Sequence, residues 1–346
     1  MPAKLTAPLR LRLDGAALIA NWRWLDARSG AAACGAAIKA DGYGLGARPV
    51  LEQLAGAGCR DFFVTTWAEV DALGALPEGA GLSVLHGVRA EDLAIALASP
   101  ARPTLNTVEQ VRRWKQADGG VCDVMVDTGM NRLGLAAQDV ANGLLDGLNI
   151  DTLMSHLASA DEDVPQNDRQ RAAFAALAGK TGAKRLSLAN SAGICLGKDY
   201  AFDLTRPGLA LYGGVPRAEA KGNIAQVAFP EAQIVQRRRI GAGESVGYNA
   251  TFTADRAMEL AILNIGYADG YLRGFSNKGS AGGGRFPVVG RVSMDLLAIA
   301  VDAEPDLGEG DWVTLDYALP DAAAQSGVAQ YELLTMLGDR FERAWA

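Results

Sequence analysis

Histidine, cysteine and long apolar runs are scarce in this chain of 346 residues. It has only two histidines, His86 and His156, so a zinc site of ordinary composition is not expected. Its four cysteines are scattered without a Cys-x-x-Cys pair, which favours reduced and mostly buried thiols. No apolar stretch approaches the roughly 20 residues of a membrane span, and the N-terminus lacks the apolar core of a secretion signal. We therefore expect a cytoplasmic protein without a resident metal ion.

The charge balance argues against polyanionic partners. The net charge is -7, and it is distributed without long runs of one sign. Neither nucleic acid nor an anionic membrane is therefore an expected partner. The apolar share of 49% is that of an ordinary globular protein, and the length favours two domains.

The first two thirds of the chain alternate apolar strand candidates with helical segments. The candidates are Ala31–Ile38, Asp61–Thr66, Leu82–His86, Thr104–Asn106, Val121–Val126, Thr152–His156, Arg185–Ala189 and Leu209–Tyr212. This alternation predicts an N-terminal (β/α)8 barrel of the TIM type, and the later short alternating runs with Gly-rich breaks predict a C-terminal, mostly β domain. We place the domains at residues 1–222 and 223–346. Within residues 1–13, alternating leucines and arginines predict a strand that joins the second domain.

A lysine directly follows the first strand candidate. The run Ala31–Ile38 leads to Lys39, and then to Gly42, Tyr43 and further glycines. An amine that is partly desolvated at the end of a strand loses its proton more easily, so it can attack a carbonyl or act as a base. A lone lysine in this position is more often a surface charge. Closely spaced glycines strengthen the chemical interpretation, because they permit close approach of the backbone to a ligand.

This segment resembles the lysine loop of the alanine racemases, which bind pyridoxal 5′-phosphate (PLP). The resemblance continues, in the order found in that family, at residues 129–134 (GMNRLG), 156–158 (HLA), 189–193 (ANSAG), 205–213 (TRPGLALYG), 266–270 (GYADG) and 290–295 (GRVSMD). It implies a homodimeric PLP enzyme that interconverts L-alanine and D-alanine, supplies D-alanine for peptidoglycan, and shares its active site between two chains.

The resemblance implies two bases on opposite sides of the substrate. Lys39 would bond covalently to PLP and act as the base on the D side, and Tyr267 would act on the L side. A tyrosine has an unperturbed pKa near 10, so it needs help to act as a base. In the family this help comes through a network that would here comprise His156 and Arg206. Arg206 would also face the pyridine nitrogen of the cofactor. Taken alone, Tyr267 is more simply a packing aromatic residue, and Arg206 a surface side chain.

A phosphate site is also implied by the resemblance. It would be formed by the Ser191 hydroxyl, the backbone amides of Gly208 and Leu209, and Tyr43. Amides and hydroxyls that converge at strand ends suit a dianion. Ser191 is otherwise explained as a residue at the start of a helix, and the two roles are compatible.

The substrate carboxylate would be held by Arg132 and by the backbone amide of Met294. The fork of an arginine suits a carboxylate. The alternative explanation for Met294 is that it fills the core. Asp127 and Asp295 would orient these groups.

Two positions depart from the family pattern. Many relatives carry a lysine, often carbamylated, seven positions before the arginine that corresponds to Arg132, and this chain has Met125 there. Relatives also often have a phosphate-contacting tyrosine near the C-terminus, where this chain has Asp339. A carboxylate beside a phosphate would be repelled, so we expect Asp339 to point elsewhere.

Three other functions remain open at this stage. The first is a racemase of serine or of broader specificity. The second is a PLP-dependent amino-acid decarboxylase, although those relatives place an acidic residue where Arg206 stands. The third is a non-catalytic PLP-binding barrel protein, against which the second domain with Tyr267 and Met294 argues.

Overall fold

The computed structural model describes residues 7–346, and they form two compact units. The barrel unit comprises Leu18–Leu211 and Val215–Ala225. The β unit comprises the described residues up to Ala17, together with Tyr212–Gly214 and Gln226–Ala346. Residues 1–6, which belong to the predicted 1–13 segment, lie outside the described residues.

Strands and helices are short in both units. The strands are β1 Leu9–Leu13, β2 Ala33–Cys34, β3 Ala36–Ala37, β4 Asp61–Val64, β5 Gly81–Val84, β6 Arg102–Leu105, β7 Cys122–Met125, β8 Ile150–Met154, β9 Arg185–Ser187, β10 Leu204–Thr205, β11 Ala228–Ile240, β12 Ser245–Val246, β13 Phe252–Thr253, β14 Met258–Leu263, β15 Ser280–Ala281, β16 Phe286–Val289, β17 Leu297–Ala300, β18 Trp312–Thr314 and β19 Glu342–Trp345. The helices are Gly15–Ser29, Ala47–Ala57, Trp67–Leu73, Leu93–Ala98, Val108–Gln116, Ala137–Ala141, Pro165–Ala175, Ser191–Leu196, Leu319–Ser326 and Gln330–Thr335, with a helical turn at Lys39–Tyr43.

The barrel unit contains a parallel sheet in which β3 to β9 lie side by side in chain order. Hydrogen bonds from Asp203 N to Leu186 O (3.0 Å) and from Arg206 N to Ala189 O (2.8 Å) join β10 to β9. β10 also pairs in parallel with β2, which is separated from β3 only by Gly35. The sheet therefore closes on itself, and the predicted α/β barrel is confirmed.

The eighth predicted strand, Leu209–Tyr212, is wrong. These residues form a 3-10 turn, closed in part by a hydrogen bond from Leu211 N to Gly208 O (2.9 Å). The strand in this part of the chain is β10, and it ends just before Arg206. Residues 209–212 are all buried and apolar, and in so short a run burial does not distinguish a strand from a helical turn.

The N-terminal ends of the barrel strands carry an ion-pair network. Arg185 donates to Asp61 Oδ2 (3.0 Å) and to Asp151 Oδ2 (2.6 Å), while Arg102 Nε lies 3.4 Å from Asp123 Oδ2. Asp123 is fully buried, and burial raises the pKa of its carboxyl group. Charges at this end of a barrel usually serve stability, which leaves the opposite end for the chemistry.

The β unit is built around the long strand β11. Its sheet runs in the order β15-β16-β17-β14-β11-β1-β19, with β18 also paired to β11, so the predicted mostly β fold is confirmed. β1 buries Leu9, Leu11 and Leu13 and exposes the two arginines between them, as the alternating sequence predicts. β1 pairs with β11 and β19.

All four cysteines are in the state that their scattered spacing favours. All four cysteines are free and buried, and burial raises the pKa of the Cys34 and Cys122 thiols to about 12.

In the described part of the chain, no helix combines the length and apolar character needed to cross a membrane.

Candidate functional site

Residues predicted for the site follow the C-terminal ends of successive barrel strands. Lys39 comes two residues after β3, Arg132 follows β7, His156 follows β8, Ser191 follows β9, and Arg206 follows β10 directly. Parallel strands of a barrel end on the same face, so these side chains converge there. Electrostatics agree with this convergence, because the charges of Arg206, Arg132 and Lys39 all act on His156.

The backbone after Lys39 adopts a left-handed turn. Residues 40–43 have φ angles between 51° and 62°, a conformation that costs a residue other than glycine about 1–2 kcal/mol. Glu69 supports the turn, because its Oε1 accepts a hydrogen bond from Ala40 N (2.6 Å). The same carboxylate accepts a hydrogen bond from Thr66 N (3.0 Å) as part of a capping box. Sequence reasoning missed Glu69, although the Thr66-x-x-Glu69 spacing was an available signal.

The Lys39 amine is half-buried, and its environment favours the neutral form. Burial is the largest cause that lowers its pKa, and the charge of Arg132 lowers it further. Glu69 acts in the opposite direction without reversing the shift. A larger fraction of such an amine is deprotonated near neutral pH than of a free lysine, so it is more readily available as a nucleophile or a base.

A compact cradle of polar groups surrounds Ser191. Its buried hydroxyl oxygen accepts hydrogen bonds from the amides of Gly208 (3.0 Å) and Ala210 (3.2 Å), so its own proton is directed to another acceptor. A Cβ added at Gly208 would lie 2.1 Å from Tyr43 Oη, so the tyrosine hydroxyl packs directly against this backbone. The structure therefore brings together Ser191, Tyr43 and Gly208, with buried Leu209 beside them. It turns the Gly208 amide toward Ser191.

Burial lowers the pKa of both Arg206 and His156, and the hydrogen-bond acceptors of Arg206 are neutral. The Arg206 guanidinium donates to Ser187 Oγ and to Ser155 O, and burial lowers its pKa to about 10. Burial, reinforced by the neighbouring cations, lowers the pKa of His156 to about 3. Buried Gln170 fixes the backbone here by donating to His156 O (2.9 Å). At neutral pH this part of the site therefore holds a charged guanidinium and an uncharged imidazole.

The loop that carries Arg132 is organised by Asp127. The Asp127 carboxylate accepts hydrogen bonds from the amides of Gly129 (2.7 Å), Met130 (2.9 Å) and Arg132 (3.2 Å). Although partial burial alone would raise the pKa of Asp127, these amides lower it. Leu135 N donates to the carbonyl of Met125 (2.9 Å), which closes the loop.

Met125, the first departure from the expected family pattern, is buried. Its side chain lies against Gly134, with its Cγ 3.2 Å from a Cβ built there. The amide contacts of Asp127 thus fix the backbone at Arg132, and position 125 supplies no charged group. Asp339, the second departure, is exposed.

Tyr267 and Met294 lie on adjoining backbone segments of the β unit. Tyr267 N donates to Ser293 O (3.0 Å), and Ala268 N donates to Met294 O (3.0 Å). The guanidinium of Arg273 lies 4.8 Å from the centre of the Tyr267 ring, a cation–π contact. The Met294 side chain is 54% exposed, so it does not fill a core in the described chain.

Several supporting residues were missed by sequence reasoning. They are Glu69, Gln170 and Ser187 in the barrel unit, and Asp269, Arg273 and Arg340 in the β unit. Residues 7–346 contain no group of histidine, cysteine, aspartate and glutamate side chains that could hold a metal ion.

The chain is similar to proteins of one family over almost its whole length. Residues 13–216 match the family model of the alanine racemase N-terminal domain, and residues 227–345 match that of the C-terminal domain. The alanine racemase of Acidiphilium cryptum (strain JF-5) is 41% identical over 348 residues, covering 96% of this chain and 97% of its own. The alanine racemase of Rhodospirillum rubrum is 41% identical over 360 residues, which cover 98% of this chain and 96% of the Rhodospirillum rubrum protein.

Solved structures show the same similarity. The crystal structure of alanine racemase from Bartonella henselae with covalently bound pyridoxal phosphate superimposes with a TM-score of 0.90 at 33% identity. The similarity covers 99% of this chain and 100% of the Bartonella henselae chain.

Proposed function

The chain belongs to the alanine racemase family, and from this premise we propose that it is a PLP-dependent enzyme that interconverts L-alanine and D-alanine. The observation that carries the proposal is the desolvated Lys39 amine at the mouth of the barrel, on the face that also holds the cradle of Ser191, Gly208 and Tyr43. A covalently anchored cofactor with a phosphate group needs both features.

The donor set suits PLP and an amino-acid substrate. Arg132 and Arg206 supply positive charge to one face of the barrel, the pKa of the Lys39 amine is lowered, and His156 is neutral. The Ser191 hydroxyl, Tyr43 and the backbone at Gly208 and Leu209 would hold the phosphate, and Lys39 would hold the aldehyde carbon. When bound, PLP withdraws electrons from the Cα of the amino acid and so acidifies its proton.

Inversion requires that a proton leaves one face of Cα and that another arrives on the opposite face. We assign the D side to Lys39 and the L side to Tyr267. The lowered pKa of Lys39 helps its amine to accept a proton near neutral pH. A single base would tend to return the proton to the face it came from, so both residues are required.

Arg206 would control the electron demand at the pyridine nitrogen. Its pKa of about 10 keeps it charged at neutral pH, and its hydrogen-bond acceptors, Ser187 Oγ and Ser155 O, are neutral. A charged guanidinium cannot accept a proton from that nitrogen, and its charge disfavours a proton there. This arrangement favours racemisation over transamination, and it also argues against the decarboxylase alternative.

Substrate binding and assembly complete the proposal. Arg132 and the Met294 amide would hold the substrate carboxylate. We propose a homodimer in which Tyr267 and Met294 act on the barrel of a second copy. The exposed side chains of Met294 (54%) and Leu296 (39%) support an assembly surface on the β unit. We further propose that residues 1–222 and 223–346 correspond to the functional domains, with the strand Leu9–Leu13 joining the second, and that the enzyme is cytoplasmic and supplies D-alanine for peptidoglycan.

The test is a chiral assay of the purified protein with PLP. L-alanine, D-alanine and L-serine are incubated separately, and both enantiomers and any released CO2 are measured. We expect a visible absorbance band that borohydride abolishes, and inversion of alanine. Lys39→Ala should lose both the band and the inversion. A band without inversion would indicate a PLP-binding protein, and CO2 release would indicate a decarboxylase. Inversion of serine at the rate of alanine would indicate broader specificity.

A further inference from the structure

The guanidinium of Arg340 joins two loops of the β unit. Its Nε lies 2.6 Å from Asp269 Oδ1, and its Nη2 lies 2.8 Å from Asp269 Oδ2. Its remaining nitrogen, Nη1, lies 2.7 Å from Asp295 Oδ1. One planar guanidinium therefore forms a two-bond fork with Asp269 and a third hydrogen bond with Asp295, a geometry that the point charge of a lysine does not reproduce.

Each carboxylate belongs to a loop that carries a proposed site residue. Asp269 is fully buried. It closes the turn of Tyr267, because its Oδ2 accepts a hydrogen bond from Gly266 N (3.0 Å). Asp295 directly follows Met294 and is exposed. A buried carboxylate is strongly disfavoured without a compensating charge, so the pair formed by Asp269 and Arg340 constrains the turn more than a surface pair would.

The backbones of these segments are in direct contact. A Cβ at Gly266 would lie 2.3 Å from Met294 O, and one at Gly270 would lie 2.6 Å from Met336 O. Gly338 N also donates to Asp269 O (3.3 Å). The turn of Tyr267 is thus packed between the Met294 loop and the C-terminal segment that carries Arg340, and a shift in one segment must move the others.

We propose that Arg340 is a positioning residue that fixes the phenol of Tyr267 relative to the Met294 amide. The inference rests on the proposed function, in which one group transfers the L-side proton and the other holds the substrate carboxylate. Proton transfer is sensitive to displacements of about 1 Å, which can cost about 100-fold in rate. Arg340 acts on the reaction only through these two loops.

The decisive variant is Arg340→Met in the PLP-loaded enzyme. We expect kcat/KM for alanine to fall about 10-fold to 100-fold, because the Tyr267 step becomes slower. The primary deuterium isotope effect on L-[2-²H]alanine should rise, since removal of this deuterium becomes more rate-limiting. The effect on D-[2-²H]alanine should fall, since the later proton donation by Tyr267 then limits the rate. Isotope effects are rate ratios, so a mere loss of folded enzyme would move neither of them.

Two further variants separate the roles of the contacts. Asp295→Asn weakens only the contact to the Met294 loop, so it should raise the KM for alanine several-fold and leave both isotope effects unchanged. Arg256→Met is the matched control: it removes the arginine of another pair in the β unit, Arg256 Nη2 to Asp302 Oδ2 at 3.0 Å. It should leave KM, kcat and both isotope effects at wild-type values.

The outcomes distinguish this inference from the proposed function. If the wild type inverts alanine but Arg340→Met keeps both isotope effects, Arg340 is merely structural and the inference is overturned. If the wild type does not invert alanine, the proposed function fails and the inference fails with it. Should Arg340→Met not fold, Arg340→Lys keeps a charge beside Asp269, and we expect the same opposed isotope shifts at smaller amplitude.

Discussion

The hydroxyl of Tyr43 lies so close to the backbone of Gly208 that a Cβ at position 208 would stand 2.1 Å from it. Residue 208 is therefore a glycine for reasons of space. The same glycine donates its amide to Ser191 Oγ (3.0 Å), so three predicted phosphate-site residues depend on one close approach.

We expect Gly208→Ala to weaken PLP binding at least about tenfold, equivalent to about 1.4 kcal/mol. The new methyl group must displace the Tyr43 ring or the 208–210 backbone, and either movement opens the cradle. The measurement is a PLP titration of the cofactor-free protein by absorbance. Gly56→Ala is the control, because a Cβ at this exposed helix position meets nothing within 4 Å. Equal PLP affinity in Gly208→Ala and the wild type would contradict the proposal that this cradle binds the phosphate of PLP.

Asp127→Asn should loosen the loop that presents Arg132. The carboxylate accepts the amides of Gly129, Met130 and Arg132, and an uncharged amide side chain accepts such bonds more weakly. We expect KM for alanine to rise about 3-fold to 10-fold with kcat nearly unchanged, because in its proposed role Arg132 holds the carboxylate in the ground state and the transition state alike. Steady-state kinetics measures this, with the exposed Asp161→Asn as the control. A fall in kcat at constant KM would refute the assignment.

Positions at strand ends were accessible from the sequence. Runs such as Asp61–Thr66 contain a real strand, here Asp61–Val64, because an apolar segment bounded by polar residues has few other ways to be buried. Once the barrel was inferred, the location of Lys39 and Arg206 at one face followed from the parallel direction of the strands.

Local conformation and long-range contacts were not accessible. Leu209–Tyr212 has the composition of a buried strand but forms a 3-10 turn, since Arg206 already ends the strand. The left-handed turn after Lys39 includes residues other than glycine, against their intrinsic preference. The pair formed by Arg340 and Asp269 joins residues that are 71 positions apart, and no spacing in the sequence predicts this contact.

Tyr267→Phe should separate cofactor binding from proton transfer. We expect the visible band to remain, because the proposed bond between Lys39 and PLP does not involve the phenol. Racemisation should fall about 10²-fold to 10⁴-fold, the usual contribution of one acid–base group. In D2O, uptake of deuterium into L-alanine should be lost, while exchange at D-alanine through Lys39 persists.

The control for this experiment is Tyr248→Phe, which removes the hydroxyl of a tyrosine that is 67% exposed in the same unit. It should behave as the wild type in every assay. Normal deuterium uptake from L-alanine in Tyr267→Phe would contradict the two-base assignment.

His156 should make the protein sensitive to acid. Burial lowers its folded-state pKa to about 3, whereas an unfolded histidine titrates near 6.5. Between these values the unfolded chain binds a proton that the folded chain does not, so stability falls as the pH drops through this window. The loss from pH 7 to pH 5 is about 2 kcal/mol. Urea unfolding at both pH values should show this loss shrinking in His156→Gln but not in the exposed control His86→Gln. An unchanged loss in His156→Gln would place the acid sensitivity elsewhere.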